Sequence, residues 1–76
     1  DGSVYNGQFY NNLFHGHGVY YYPNGDIYEG EFIGGLKSGT GVYKYFTGEV
    51  YNGEYEKDLK SGEGKFIFIN GHFYVG

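Results

Sequence analysis

The sequence predicts an all-β fold: an elongated, single-layer antiparallel meander of β-hairpin repeats, twisted and curved, with a period of 23 residues. Three observations predict it. Glycines and aromatic residues recur at fixed 23-residue intervals, the marked positions inside each interval lie two apart, and turn signals separate the runs. Gly2, Gly25, Gly48 and Gly71 carry the period, as do Tyr5, Tyr28, Tyr51 and Tyr74, and Gly7, Gly30, Gly53 and Gly76. The same step links Phe9, Phe32 and Tyr55; Leu13, Leu36 and Leu59; Gly18, Gly41 and Gly64; Tyr20, Tyr43 and Phe66; and Tyr22, Tyr45 and Phe68. The chain divides into unit 1 (2–24), unit 2 (25–47), unit 3 (48–70) and the first strand of a fourth (71–76).

Each unit reads as two strands, because Tyr5, Gly7 and Phe9 form one alternating set and Gly18, Tyr20 and Tyr22 form another. Asn24-Gly25, Thr47-Gly48 and Asn70-Gly71 supply the short connections between units. The segments Asn11 to Gly16, Gly34 to Gly39 and Lys57 to Gly62 read as longer loops, each with a Leu folded back onto the sheet edge. A register follows from shape, since a glycine opposite a ring leaves room for that ring. Phe9 then pairs with Gly18, Gly7 with Tyr20 and Tyr5 with Tyr22, while Tyr22 pairs with Tyr28, Tyr20 with Gly30 and Gly18 with Phe32. The second set requires an odd-length turn with a bulge at Asn24-Gly25. On the other face this register sets Glu29 opposite Lys44 and Glu54 opposite Lys65.

Composition narrows the function classes. A chain of 76 residues makes one small domain with too little core to enclose a substrate cleft, and it reads as non-catalytic. The absence of cysteine removes disulfides and thiolate chemistry and fits a reducing, cytoplasmic location. A net charge of −4 repels phosphate backbones and anionic membranes, so nucleic acid is excluded as a partner and acidic phospholipid ranks second to protein. No apolar run approaches the roughly 20 residues that span a bilayer. With 16 glycines beside 11 Tyr and 7 Phe, the chain is too aromatic for a disordered glycine-rich tract.

Tyr28-Glu29-Gly30-Glu31-Phe32, then Gly39-Thr40-Gly41-Val42-Tyr43, then Asn24-Gly25-Asp26 resemble MORN repeats, the membrane occupation and recognition nexus motif, across residues 1–76. Phe32 stands where that family commonly has Trp; Phe14 and Lys57-Asp58 also depart from its loop pattern. The resemblance implies a curved antiparallel sheet whose aromatic and glycine positions line one concave, groove-forming face. It also implies a scaffold in a cytoskeletal, ciliary or membrane-associated assembly that binds a protein or peptide. Two further implied readings are an acidic phospholipid-binding module and the regulatory repeat region of a larger lipid kinase or methyltransferase.

The candidate partner-binding residues are the aromatic set Tyr5, Phe9, Tyr20, Tyr22, Tyr28, Phe32, Tyr43, Tyr45, Tyr51, Tyr55, Phe66 and Phe68. Gly7, Gly18, Gly30, Gly41, Gly53 and Gly64 are the structural glycines that make space for them. Tyrosine offers broad amphipathic contact and a ring face for cations, and acids at the rim are expected to select basic partners. Catalytic, metal and cofactor sites are not expected. His15-Gly16-His17 is replaced by Ser38 and Thr40 and by Ser61 and Glu63 in the other units, so it reads as loop decoration. The Gly-x-Gly pairs lack the helix a phosphate loop needs, and Glu29 with Glu31 or Glu54 with Glu56 read as solvated pairs. Unpaired outer strands would also permit association between copies of the chain.

Overall fold

The computed structural model describes residues 2–75; Asp1 and Gly76, the last glycine of the 23-residue series, lie outside the described residues. Seven strands form one antiparallel sheet: β1 (Val4–Tyr10), β2 (Leu13–Tyr21), β3 (Ile27–Ile33), β4 (Leu36–Lys44), β5 (Val50–Glu56), β6 (Leu59–Ile67) and β7 (Phe73–Val75). Their order in space is their order in sequence, and no helix occurs among the described residues. A seven-residue and a nine-residue strand alternate through the three units, which is the hairpin meander that the period predicts. The body measures 40 × 27 × 15 Å, thin enough for one sheet and its side chains.

The register differs by two residues from the expected one. Glycine faces glycine, in a continuous row Gly7, Gly18, Gly30, Gly41, Gly53 and Gly64 that crosses six strands. Beside it runs an aromatic row in which Tyr5 pairs with Tyr20, Tyr20 with Tyr28, Tyr28 with Tyr43, Tyr43 with Tyr51, and Tyr51 with Phe66. Room for the rings is made diagonally. The Tyr28 ring tips off its own row and lies across the Gly30–Gly41 pair, where its hydroxyl donates to the Glu31 carbonyl at 3.1 Å. Tyr5 and Tyr51 lie over the glycine pairs of their own units, donating to Gln8 O and Glu54 O. A Cβ on Gly30 would stand 2.5 Å from the Gly41 Cα, and one on Gly41 would run into the Tyr28 ring.

Each unit's two strands also hold a bulge just past the glycine pair, between Gly7 and Phe9, Gly30 and Phe32, and Gly53 and Glu54. The extra residues on the longer strand include a glycine with positive φ, as at Gly39 with φ 70. The side chain across from it fills the gap: Glu31 Oε1 accepts the Thr40 N–H at 3.0 Å, and Gln8 Oε1 accepts the His17 N–H at 2.9 Å. Glu31 is thus a backbone cap rather than half of a solvated acid pair. Glu54 lies against Gly62 in the same way.

The turns exchange the lengths expected of them. Asn11-Asn12, Gly34-Gly35 and Lys57-Asp58 are two-residue turns with both φ positive, the geometry that matches strand twist, and the three Leu residues open the following strands. The inter-unit turns are the longer ones: Tyr22 N–H reaches Asp26 O at 2.9 Å around Pro23-Asn24-Gly25, with Gly25 at φ 99. They are odd in length, as the register argument required. On the polar face Glu29 pairs across the ladder with Val42 and Glu54 with Ser61, so neither lysine is directly opposite. Lys44 reaches Glu29 diagonally at 3.8 Å.

Units are tied by their turns. Asp26 is buried, and its carboxylate accepts the Tyr43 hydroxyl at 2.8 Å and the Phe46 N–H at 2.9 Å from the next inter-unit turn. Burial alone would raise its pKa; the bonds from Phe46, Tyr43 and Asn24 outweigh that and hold it below the usual carboxylate value. On the opposite sheet margin Gly35 N–H donates to Phe14 O at 2.9 Å and Asp58 N–H to Lys37 O at 3.0 Å, so the tight turns of units 2 and 3 dock on the preceding unit.

Gly41→Ala is expected to cost about 2–3 kcal/mol by overpacking the Tyr28 ring, whereas Gly34→Asn, in open space at φ 58, stays within about 0.5 kcal/mol; urea denaturation of both measures the contrast. Asp26 makes the fold acid-sensitive. A depressed folded pKa gives stability that is present above the unfolded value and lost as pH falls through the folded one, so the melting temperature should drop below about pH 4. Asp26→Ala should remove part of that pH dependence and cost about 2 kcal/mol at neutral pH.

Candidate functional site: the aromatic face

The side chains of the aromatic set gather on one face, in two layers. Tyr28, Phe32, Tyr51 and Tyr55 are the buried layer, with Tyr28 fully inaccessible. They meet edge to face: Tyr28 with Phe32 and with Tyr55 at 5.2 Å, and Tyr51 with Tyr55 at 5.7 Å. Such pairs add about 0.5–1.5 kcal/mol each beyond their buried area. These four residues are core, and Phe32 and Tyr51 reach the surface only where they border the depressions of the face.

A ridge of rings stands along the second layer. Tyr20, Tyr22, Tyr43, Tyr45, Phe66 and Phe68 follow one another with centroids 4.7, 5.4, 4.8, 5.8 and 4.9 Å apart, tilted by 39–56°. The first five are half-buried and Phe68 is exposed. Tyr20 and Tyr43 therefore share a face, as the repeat requires. In unit 1 Tyr5 is half-buried and Phe9 exposed, and Phe14 stacks on Tyr5 at 3.8 Å and 12°.

Two lysines belong to this face and were not among the expected residues. Lys37 and Lys60 occupy the unit position that Phe14 holds in unit 1. The Lys37 ammonium lies 5.7, 5.7 and 5.8 Å from the ring centres of Tyr22, Tyr28 and Tyr55, donates to the Tyr22 hydroxyl at 3.0 Å and sits 3.6 Å from Asp58. Lys60 repeats the arrangement over Tyr51 at 4.9 Å and Tyr45 at 5.8 Å, donating to the Tyr45 hydroxyl at 3.1 Å. The signal available in sequence was the register of 14, 37 and 60 under the 23-residue step. Reading it as a contact needed the tight turn that places these residues inside the strands.

Two depressions open on the face. One of about 230 Å³ is bordered by Phe14, Tyr20, Tyr22, Phe32, Lys37 and Asp58, and one of about 430 Å³ by Tyr51, Lys60, Phe66, Phe68 and Tyr74. Burial raises the phenol pKa of Tyr28 to about 12, with the Glu31 carboxylate adding to it, and raises those of Tyr5, Tyr43 and Tyr55 as well. At Tyr43 the hydrogen bond to Asp26 adds to burial. All four phenols are neutral donors at physiological pH.

The histidines stand elsewhere. His15 packs 5.4 Å from Tyr10, and His17 Nε2 lies 3.8 Å from Glu29. No cluster of three or more His, Cys, Asp or Glu suited to a metal occurs among the described residues. Nor does a helix long and apolar enough to cross a membrane.

The sequence model described as MORN repeat matches residues 5–27, 28–50 and 51–73, three consecutive 23-residue blocks phased three residues later than the glycine-based units. No curated protein matches the chain. MORN repeats are interaction modules for proteins and membranes, and the repeat is a non-catalytic one.

Tyrosine ionisation followed by ultraviolet absorbance should show the buried phenols lagging behind the exposed ones among the 11 tyrosines. A raised folded pKa gives stability that is full below pH 10 and lost as pH rises through the folded value. The lagging phenols should therefore titrate together with loss of the β-sheet circular dichroism signal near pH 12.

Proposed function

The chain belongs to the MORN repeat family, and on that premise we propose that it is a non-catalytic scaffold module that binds a protein or peptide partner on its aromatic face. The observation that carries this is the ridge of six rings, half-buried to exposed, standing over a layer of tyrosine and phenylalanine already saturated by its own packing. Tyr20, Tyr22, Tyr43, Tyr45 and Phe66 pack against the core on one side and keep the other side open to another molecule. Tyrosine and phenylalanine suit that role because they bring large contact area at low conformational cost.

The buried layer contributes rigidity. Because Tyr28, Phe32, Tyr51 and Tyr55 hold the sheet in one shape, the ridge is presented preorganised and binding need not order it. The half-buried ridge residues, with Phe68 and Phe9, are the contact surface; Tyr28 and its three neighbours are the support. A non-catalytic role fits a chain whose Glu31 and Asp26 carboxylates are engaged as a backbone cap and a turn tie. A cytoplasmic setting in a cytoskeletal, ciliary or membrane-associated assembly is the context this reading favours.

Photo-crosslinking from benzoylphenylalanine at position 22 or 45 in cells is expected to trap the same partner, while positions 19 and 42 on the other face trap none. With that partner in hand, Tyr22→Ala and Tyr45→Ala together should weaken binding about 30-fold at a temperature where circular dichroism shows the double variant still folded. Undiminished affinity in the folded double variant would overturn the assignment of this face.

A further inference from the structure

The units differ where they meet, and the differences are paired. Between units 2 and 3 stands an ion pair: Asp58 Oδ1 lies 3.6 Å from the Lys37 ammonium and accepts the Lys37 backbone N–H at 2.7 Å. Between units 1 and 2 the same two places, one 23-residue step earlier, hold Phe14 and Gly35. A third place changes with them, since Phe32 stands where unit 3 has Tyr55. One junction thus carries a cation and an acid, and the other carries rings and bare backbone.

That second junction is where the depression of about 230 Å³ opens. Phe14 stacks on Tyr5 at 3.8 Å, meets Phe32 edge-on at 5.6 Å and lies 5.8 Å from Tyr20. Gly35 borders the depression at φ 89, and a Cβ placed there would meet Leu13 Cδ2 alone, at 3.7 Å, apart from its chain neighbours. The border runs from Phe14 on β2 to Asp58 in the turn after β5, with β1 and β7 outside it, so differences between consecutive units give the depression its shape.

Its charges cancel. Strand alternation turns Glu29, Glu31, Glu54 and Glu56 to the opposite face, so the expectation that rim acids select basic partners does not follow for the ring-bearing side. Lys37 and Asp58 are the charged residues on the border, and they are already paired. An entering carboxylate would meet Asp58 and an entering cation would meet Lys37, each giving up water without gaining an unpaired counter-charge. An uncharged side chain avoids both costs. Hydrogen-bonding capacity remains at one end of the depression. The Lys37 N–H and ammonium both face Asp58 Oδ1, so Oδ2 can still accept, and the Tyr22 hydroxyl, which accepts from Lys37 at 3.0 Å, can still donate. Ring walls with a polar end match a ring that carries a hydroxyl.

We infer that the junction of units 1 and 2 is the anchor subsite of the aromatic face and takes an uncharged aromatic side chain of the partner, tyrosine before phenylalanine, with its ring against Phe14, Tyr20 and Phe32 and its hydroxyl at Asp58. This rests on the partner-binding reading of the same face and adds to it which side chain is read and where. The repeats are therefore not equivalent in binding: an ion pair occupies one junction, and Phe14 with Gly35 opens the other.

The probes are the N-acetyl amides of tyrosine, phenylalanine, glutamate and arginine, titrated to about 20 mM into the whole chain and followed by amide resonances. The tyrosine amide should shift Gly35 and Lys37, bind about threefold more tightly than the phenylalanine amide, and exceed both charged amides about tenfold. Phe14→Lys with Gly35→Asp rebuilds the arrangement of the next junction and should abolish these shifts in a chain that circular dichroism shows to be folded. Gly35→Asp alone, which leaves the Tyr5–Phe14 stack in place, should do the same. Asp58→Gly puts into this turn the residue that position 35 already holds, and should erase the preference for tyrosine over phenylalanine. Shifts that survive Gly35→Asp, or a charged amide that binds as well as tyrosine, would overturn the subsite. Equal binding of the tyrosine and phenylalanine amides to the unsubstituted chain would overturn the role of Asp58. The partner trapped by crosslinking separates this inference from the reading beneath it. Undiminished partner affinity in Gly35→Asp beside a loss in the Tyr22→Ala, Tyr45→Ala double variant would overturn the subsite and leave the partner surface standing; undiminished affinity in both would overturn both.

Discussion

A tyrosine ring lying across a pair of facing glycines is the contact on which the rest of this structure depends. Tyr5, Tyr28 and Tyr51 each tip onto such a pair, and the six glycines involved form an unbroken row through the sheet. A single-layer sheet has no second layer to bury its apolar face, so it buries rings against its own backbone instead. Glycine normally weakens a strand because it has no side chain to pack. Here the neighbouring ring supplies the missing packing, and the phenol hydroxyl reaches the carbonyl of the residue that follows the glycine, at the bulge.

That contact divides the aromatic residues into two populations. Rings that lie flat over glycine, and those that strike them edge-on, are used up as core. The rings on β2, β4 and β6 and at their ends cannot reach the glycine row and stand as a ridge beside it. Lys37 and Lys60 then cross between the two populations, lying over ring faces and hydrogen-bonding to ridge hydroxyls. Ammonium over a tyrosine face is worth about 0.5–1 kcal/mol where exposed and more where desolvated, and Lys37 is the more sheltered of the two.

Coupling between units runs through the β2–β3 and β4–β5 ladders and is reinforced at both margins of the sheet. The tight turns dock by backbone bonds on the preceding unit, and the inter-unit turns are joined by the buried Asp26 carboxylate. Turn side chains stack as well, since Phe46 lies over Gly25 and Ile69 over Gly48. An array held in this way is stabilised by nearest-neighbour terms, as expected of a linear repeat.

The sequence by itself determined the strand class, the 23-residue period, the hairpin meander and the side to which Tyr20, Tyr43 and their periodic partners point. Those properties are local, because alternation and turn chemistry act within a few residues and repeat three times. It also marked the six glycines as ring-accommodating positions. What the tertiary structure decided was register, burial and charge placement. Two pairings differing by two residues keep every side chain on its face, so alternation cannot choose between glycine opposite ring and glycine opposite glycine; the bulge capped by Glu31 and the positive-φ pair at Gly34-Gly35 choose. With the register set, Tyr28 became core and Tyr22 surface, and Lys37 met three rings from three different strands or turns. No spacing rule reaches that far, because contacts between units depend on where the bulges and turns bring the strands together.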